Sequence, residues 1–103
     1  MRIYLSGKMI GLPDDNRPAF YLWAKKLRDD GHEVFCPPEE DVKLAAKLGR
    51  EPTRRELLAQ DMAWICLHAE AIAMLPGWEN NSTGAFAEWS LAKALPIPFI
   101  YLS

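Results

Sequence analysis

The sequence lacks a long hydrophobic run and an excess of charge of either sign. Its 103 residues carry 12 basic and 14 acidic side chains, for a formal net charge of −2. Because proteins that bind polymeric nucleic acid neutralise phosphates with lysine and arginine, this balance argues against such a partner. No apolar stretch approaches the ~18 residues that a membrane-spanning helix needs. We therefore expect a protein that binds neither nucleic acid polymers nor membranes.

Cysteine and histidine are also scarce, at two residues each. Cys36 and Cys66 stand alone in apolar segments, which predicts buried free thiols and argues against a disulfide framework or a CxxC metal site. His32 and His68 are expected at the surface or at helix ends, and no Ser-His-Asp or metal-ligand cluster is visible. We expect no signal peptide, because the chain begins directly with a strand-like segment. These absences predict a cytoplasmic protein without a metal or other cofactor.

The hydrophobic pattern predicts one domain in which four strands alternate with three helices. A chain of 103 residues suits a single domain, residues 1–103, and half of its residues are hydrophobic. The predicted strands are residues 3–6, 33–36, 71–75 and 98–102. The predicted helices are one that Asn16 caps and that stops at Gly31, one capped by Thr53 with Glu56 in a capping box, and one from Gly84 to Ala94.

The order of these elements predicts the fold class. Pro37 and Pro38 are expected to close the second strand, and residues 39–52 to form a mobile connector with one short helical piece over residues 42–48. Strands separated by helices give a parallel sheet that is covered on both faces. We therefore predict a small doubly wound α/β domain, a three-layer sandwich of Rossmann or flavodoxin type with about four parallel strands.

The loop after the first predicted strand has the sequence Ser6-Gly7-Lys8-Met9-Ile10-Gly11. In open parallel sheets, ligands bind beyond the carboxyl ends of the strands, where helix N-termini present free N–H groups. The two glycines permit close approach of the backbone, while the serine and the lysine offer a hydroxyl and a cation to a phosphate. An ordinary turn would look the same, and the spacing fits neither a Walker A loop nor GxGxxG. The candidate binding residues here are Ser6, Gly7, Lys8 and Gly11.

The loop before the last predicted helix combines a large flat aromatic with small hydrogen-bonding side chains. Trp78, Ser82 and Gly84 are its candidate binding residues, because this mixture suits a sugar and a base. The other tryptophans are expected to lie in the core or at subunit contacts.

Glu88 interrupts an apolar stripe on the last predicted helix. Ala85, Ala92 and Leu95 share its helical face at i−3, i+4 and i+7, and this face is expected to pack against the sheet. A carboxylate in that position must be paired, reach a wet cleft or have a raised pKa, and such positions are enriched in functional groups. The alternative is a salt bridge, or a tilted helix that leaves Glu88 in solvent.

Asp61 raises the same question on the preceding helix, where its neighbours at helical spacing are apolar. Two carboxylates in one cleft suit cleavage of a glycosidic bond, because one attacks or stabilises the anomeric carbon while the other handles a proton. The spacing alone leaves open whether Asp61 and Glu88 converge.

The chain resembles the small bacterial and phage proteins (DUF4406 type) that are related to nucleoside 2-deoxyribosyltransferases. The resemblance covers nearly the whole chain, including residues 1–7, 12–20, 31–34 and 75–88. The chain is also similar, more distantly, to the 2-deoxynucleoside 5-monophosphate N-glycosidases. The residues that carry this second resemblance are Tyr4, Asp61-Met62-Ala63-Trp64, Ser82 and Glu88.

The resemblance implies a site and a reaction. Glu88 would attack the anomeric carbon to form a glycosyl ester, Asp61 would help to protonate the departing base, and Tyr4 would orient Glu88. Ser82 and the loop over residues 6–11 would hold a 5-phosphate. Water or a second base would then resolve the ester, giving hydrolysis or base exchange. The family also implies a homodimer or higher homo-oligomer, since a neighbouring subunit often completes the site.

Two other functions compete with this one. Related α/β domains bind nucleotide signals without consuming them, so a non-catalytic nucleotide-binding or sensor module is the main alternative. A phosphoribohydrolase that resembles the cytokinin-activating enzymes is the other. Its Pro-Gly-Gly-x-Gly-Thr-x-x-Glu motif is partly matched by residues 76–77 and 83–84 ahead of Glu88.

Overall fold

A four-stranded sheet lies at the centre of the computed structural model, which describes residues 1–80 and 82–103. The strands are β1 (Arg2–Ser6), β2 (Glu33–Phe35), β3 (Ala71–Met74) and β4 (Phe99–Tyr101). They are all parallel and are arranged in the order β2-β1-β3-β4. The predicted fold class is confirmed, and each predicted strand lies within one residue of the observed boundary at either end.

The strand order places a switch point between β1 and β3. The chain leaves β1 to form β2 on one side, and it then returns past β1 to form β3 on the other side. Loops that leave the carboxyl ends of two such strands run in opposite directions, which opens a crevice between them. In this protein the crevice lies between the loops that follow Ser6 and Met74.

In the part of the chain that the structure describes, four α-helices and one short 3-10 helix connect the strands. They are the 3-10 helix Pro13–Asn16, α1 (Arg17–Asp29), α2 (Pro37–Leu48), α3 (Arg54–His68) and α4 (Thr83–Ala94). The predicted capping box of α3 is confirmed, because the Thr53 hydroxyl accepts from the Glu56 N–H and the Glu56 carboxylate accepts from the Thr53 N–H. None of the helices in the described part of the chain has the length and apolarity to cross a membrane.

Helix α2 corrects the predicted connector. Residues 39–52 were expected to form a mobile connector with one short helical piece over residues 42–48, yet a helix of 12 residues that contains this piece begins at the two prolines after β2. Proline suits the first helical turn, because its fixed φ is already helical and its missing N–H would have no partner there. The helix ends at Gly49, whose φ of +70° gives the left-handed conformation that closes a helix. The proline pair therefore follows the end of the strand, as predicted, and also begins a helix.

Two apolar cores cover the two faces of the sheet. Helix α1 covers one face and helices α3 and α4 cover the other, because successive strand residues point to opposite faces. The first core contains Ile3, Leu5, Phe20, Ala24, Leu27, Val34, Cys36, Ala71, Ala73 and Leu75. The second contains Tyr4, Phe35, Ile65, Ile72, Met74, Ala85 and Ala92. The three-layer sandwich thus follows from alternating strand residues.

Two local predictions are corrected. Cys36 is buried as expected, but Cys66 is exposed on α3, so the prediction of two buried thiols was wrong for Cys66. Asn16 does occupy the residue before α1, but its side chain donates to the carbonyl of Lys8 at 2.9 Å and makes no cap to the helix. Asn16 therefore ties the loop after β1 to the start of α1.

Candidate functional site

A cavity of about 700 Å³ opens at the crevice between β1 and β3. It is lined by the loop after β1, the start of α1, one side of α2 and the N-terminal halves of α3 and α4. This is the position in which open parallel sheets bind ligands. The predicted site residues Gly7, Lys8, Asp61, Ser82, Gly84 and Glu88 all line it.

Glu88 lies at the base of this cavity and is held by two hydroxyls. The Tyr4 O–H donates to Oε2 of Glu88 at 2.7 Å, and the Ser6 O–H donates to Oε1 at 2.6 Å. Both donors belong to β1 and point to the same face, because they are two residues apart. Ala85 and Ala92 on the same helix are buried, whereas Leu95 is 43% exposed and ends the predicted stripe early.

The environment of Glu88 pulls its pKa in two directions. Burial in the cavity base raises the pKa from its usual range to about 7, and the charge of Asp41 adds to this. The hydrogen bonds from Ser6 and Tyr4 oppose the increase, because they stabilise the ionised carboxylate. Burial and the charges of Glu88 and Asp61 raise the pKa of the Tyr4 hydroxyl well above its usual value. Tyr4 therefore keeps its proton, donates a hydrogen bond to Glu88 and does not act as a base.

Asp61 lines the same cavity from α3, so the two predicted carboxyl groups do converge. Its side chain is buried, and its Oδ1 atom has no hydrogen-bond partner among the described residues. Burial and then the charge of Glu88 raise the pKa of Asp61 to about 8. Asp61 therefore carries a proton at neutral pH, while Glu88 is the first of the two to ionise.

Asp41 is a further carboxyl group in the cavity, less exposed than the lining residues Asp15 and Glu51, and the sequence analysis missed it. It lines the cavity with Pro37 and Ala45, which are its neighbours at i−4 and i+4 on α2. Burial raises the pKa of Asp41 to about 6, with Arg17 opposing the increase. An acidic residue in a stripe at helical spacing was the signal that identified Glu88. The same signal was present here, but the segment was expected to be a connector.

Three cationic side chains also line the cavity. Lys8 was predicted, whereas Arg17 at the start of α1 and Arg54 at the start of α3 were not. Arg54 donates to the hydroxyl of Thr83 at 3.3 Å and so joins the first turns of α3 and α4. The cavity therefore combines carboxyl groups with cations near helix N-termini, where partial positive charge accumulates.

The predicted serine and glycines have more specific roles than expected. The Ser82 hydroxyl accepts from the Ala85 N–H at 3.2 Å and caps α4, so this acceptor position is already used. A Cβ atom on Gly7 would lie 2.7 Å from the Leu75 side chain, so Gly7 permits close packing of the two loops. A Cβ on Gly84 would meet nothing within 4 Å, which leaves open space beside the first turn of α4.

Tyr4, Ser6, Gly11 and Trp78 are predicted site residues that do not line the cavity, and of these Tyr4 and Ser6 contact its Glu88 side chain. Gly11 is exposed, and its φ of +87° allows the loop after β1 to turn. Trp78 stacks on Trp89 at a ring-centroid distance of 5.9 Å and contacts Phe86 at 5.2 Å. It belongs to an aromatic group beside the edge strand β4, so its flat ring faces other rings of the protein.

The comparisons with known proteins give a family without an activity. Residues 1–101 match the family model described as a domain of unknown function (DUF4406). No curated protein and no solved structure matches the chain. Within the described residues there is also no group of three or more His, Cys, Asp or Glu side chains that could hold a metal ion. On the family match, which spans nearly its whole length, the chain belongs to the DUF4406 family.

Proposed function

We propose that the protein cleaves or exchanges the N-glycosidic bond of a nucleoside or nucleoside 5-monophosphate, with Glu88 as the nucleophile. The observation that carries this proposal is the Glu88 carboxylate, which lies in the cavity and accepts one hydroxyl hydrogen bond on each oxygen. A fixed carboxylate that shares a cleft with a second acid is the pair that glycosidic chemistry uses.

The two carboxyl groups differ in a way that supports different roles. Glu88 has two hydroxyl donors that favour its ionised form, whereas Asp61 has an oxygen with no partner and the higher pKa, about 8. Environments that separate two pKa values in this way assign one group as acid and the other as base or nucleophile. Glu88 is then the ionised nucleophile and Asp61 the proton donor.

In the first step, a Glu88 oxygen attacks the anomeric carbon and forms an ester with the sugar. The bond from that carbon to the base nitrogen breaks, and its electron pair leaves with the base. Asp61 transfers its proton to the departing base, so that a neutral molecule is released. Each Glu88 oxygen keeps a lone pair for this attack, because its hydroxyl partner occupies only one of two acceptor positions.

In the second step, water or a second base attacks the same carbon. The ester bond breaks, and Glu88 recovers its carboxylate. The ionised Asp61 takes up the proton that the attacking water or base loses, which returns both groups to their starting states. Hydrolysis and base exchange differ only in which nucleophile reaches the ester first.

The cations of the cavity favour a substrate with a phosphate. Lys8, Arg17 and Arg54 line the cavity together with the first turn of α4, and anions are stabilised both by such side chains and by helix N-termini. We therefore expect nucleoside monophosphates to react with a higher kcat/KM than the matching nucleosides. The homo-oligomer and the cytoplasmic location that the sequence predicts stay predictions.

Incubation with a panel of nucleosides and nucleoside monophosphates tests the proposal, with chromatography for the free base. We expect base release by the native protein and by a Glu79→Gln variant, which alters an exposed carboxylate outside the cavity. Acid quenching followed by intact-mass measurement should show a sugar adduct that a Glu88→Gln variant does not form. Intact ligand recovered from every incubation would contradict the proposal, and tight binding of that ligand would indicate the sensor module instead.

A further inference from the structure

Two buried carboxyl oxygens in the cavity wall have no hydrogen-bond partner among the described residues. They are Oδ1 of Asp41 on α2 and Oδ1 of Asp61 on α3. A buried polar atom without a partner is costly, and in native proteins each such atom calls for an explanation. The oxygen of Asp61 is explained by the proton that Asp61 transfers in the proposed reaction, but the oxygen of Asp41 has no role there.

The surroundings of Asp41 leave the cavity as the source of its missing partner. No ion pair joins Asp41 to a cation within residues 1–80 and 82–103, although the charge of Arg17 acts on it. Its neighbours along the cavity side of α2, Pro37 and Ala45, have no side-chain donor. A ligand in the cavity can therefore supply the donor that Oδ1 lacks.

The mixture of apolar and polar side chains in this wall suits a flat heterocycle. Apolar side chains from α2 and α3 line the cavity on the same two helices as Asp41 and Asp61. These apolar residues are Val42, Ala45, Leu57 and Leu58. Pockets for small ligands combine apolar walls with a few convergent polar atoms, and here the polar atoms are the carboxyl oxygens of Asp41 and Asp61.

We propose that Asp41 selects the base, because its carboxylate accepts a hydrogen bond from the exocyclic amino group of the departing nucleobase. This inference rests on the proposed function, since it specifies the base that Glu88 and Asp61 release. Asp41 lines the same cavity as those two groups and its charge acts on both of them, so a base that Asp61 protonates would share this cavity with Asp41. A base with a keto oxygen in place of the amino group would face the carboxylate with an acceptor and be rejected.

The inference is tested with matched substrates, in which a keto oxygen replaces the amino group and the adjacent ring nitrogen gains a hydrogen. Adenine and hypoxanthine nucleotides form one pair, and cytosine and uracil nucleotides form the other. We expect native kcat/KM to favour the amino member by about tenfold or more, the size of one unmet hydrogen bond. In Asp41→Asn the amide can donate to a keto oxygen, so the preference should fall or invert. In Asp41→Ala it should disappear.

Glu40→Gln is the matched control, because it removes the adjacent charge on the same helix from a residue that does not line the cavity. It should keep the native preference. A merely structural role for Asp41 would lower both members of a pair equally, and circular dichroism with thermal melting checks that each variant folds. Native preference retained in Asp41→Asn, or no preference in the native protein, would overturn the inference.

Calorimetric binding of free adenine and free hypoxanthine separates this inference from the proposed function. Preferential binding of adenine that Asp41→Asn removes, without turnover of any nucleotide, would uphold base selection and overturn the catalytic proposal. Turnover without any dependence on Asp41 would do the reverse. Neither turnover nor selective binding would overturn both.

Discussion

Two parts of the candidate site differ in the hydrogen-bond partners that they give to their carboxyl groups. In the Glu88 clamp, formed by Tyr4, Ser6 and Glu88, both carboxylate oxygens receive a hydroxyl hydrogen bond from β1. In the acidic wall, formed by Asp41 and Asp61, each residue has an oxygen without a partner among the described residues. The clamp is complete within the protein, whereas the wall lacks hydrogen-bond donors that a ligand could supply.

The clamp fixes the position of the nucleophile, whereas the acidic wall lowers the stability of the empty protein. A strand of the central sheet is a rigid support, so the clamp holds a nucleophile in a fixed position. The wall lies on helices and keeps its acids protonated or unpaired, which costs stability in the empty protein. Functional sites commonly retain such unfavourable groups, because the substrate or the transition state provides the missing partners.

The largest expected effect comes from the clamp. Glu88→Gln removes the nucleophile but keeps the shape of the side chain, so we expect turnover to fall by about 10³-fold or more with ligand affinity retained. Initial rates and equilibrium binding measure the two quantities separately. Glu79→Gln on the exposed loop is the control and should keep native rates. Unchanged turnover in Glu88→Gln would remove this residue from the mechanism.

Asp61→Asn should have the next largest effect, in the acidic wall. The amide cannot transfer a proton, and general acid catalysis contributes about 10²–10⁴-fold, so we expect a rate loss of at least 10²-fold. The loss should be smaller for substrates whose leaving group needs no proton, such as a nitrophenyl glycoside. In the pH–rate profile, the limb that falls as pH rises above about 8 should vanish. An unchanged alkaline limb would assign the acid to another group.

Asp61→Asn also tests how the acidic wall affects the stability of the folded protein as pH changes. The pKa of Asp61 is about 8 in the folded protein and near 3.9 in an unfolded chain, so only the folded state holds this proton between those values. Stability therefore falls as pH rises through this window, by about 1.4 kcal/mol per pH unit for this group. Denaturant unfolding at pH 5.5 and pH 7.5 should show this fall in the native protein. A slope in Asp61→Asn equal to the native one would contradict the pKa assignment.

Much of the clamp could be predicted from sequence, because it depends on short-range periodicity. Alternation along a strand places Tyr4 and Ser6 on one face, and helical spacing places Glu88 in a small-residue stripe. That Ser6 donates to Glu88 was not predicted, since it depends on which helix packs over which strand. The role of Tyr4 came from the family resemblance.

The acidic wall was only half predictable. Asp61 follows a clear capping box on α3, so its helix was recognised. Asp41 lies on α2, where two prolines favour both a strand end and a helix start, and the local pattern does not decide between them. Arg17 and Arg54 were missed for a different reason. Their approach to the cavity depends on the relative positions of α1 and α3, which no local pattern encodes.

Removing one donor of the clamp should have an intermediate effect. Tyr4→Phe keeps the ring that stacks on Phe35 at 5.1 Å but removes the hydroxyl from Glu88. The pKa of Glu88 should rise further, because a hydrogen bond to its ionised form is lost. We expect the acid limb of the pH–rate profile to move upward and the rate at pH 7 to fall by about tenfold. Ser6→Ala removes the other donor and should move the limb in the same direction. An acid limb unmoved in both variants would show that the clamp does not control Glu88 ionisation.

The smallest effect on catalysis should come from Trp78→Leu, which tests whether the aromatic group beside β4 contacts the substrate. Its ring packs on Phe86 and Trp89 outside the cavity, so Trp78→Leu should lower stability by about 1–3 kcal/mol through lost aromatic contacts. The kcat/KM should stay within about twofold of native, and Phe86→Leu in the same aromatic group should behave alike. A tenfold fall in kcat/KM in Trp78→Leu alone, at unchanged stability, would make Trp78 a substrate contact. The boundary of the site would then have to include the aromatic group beside β4.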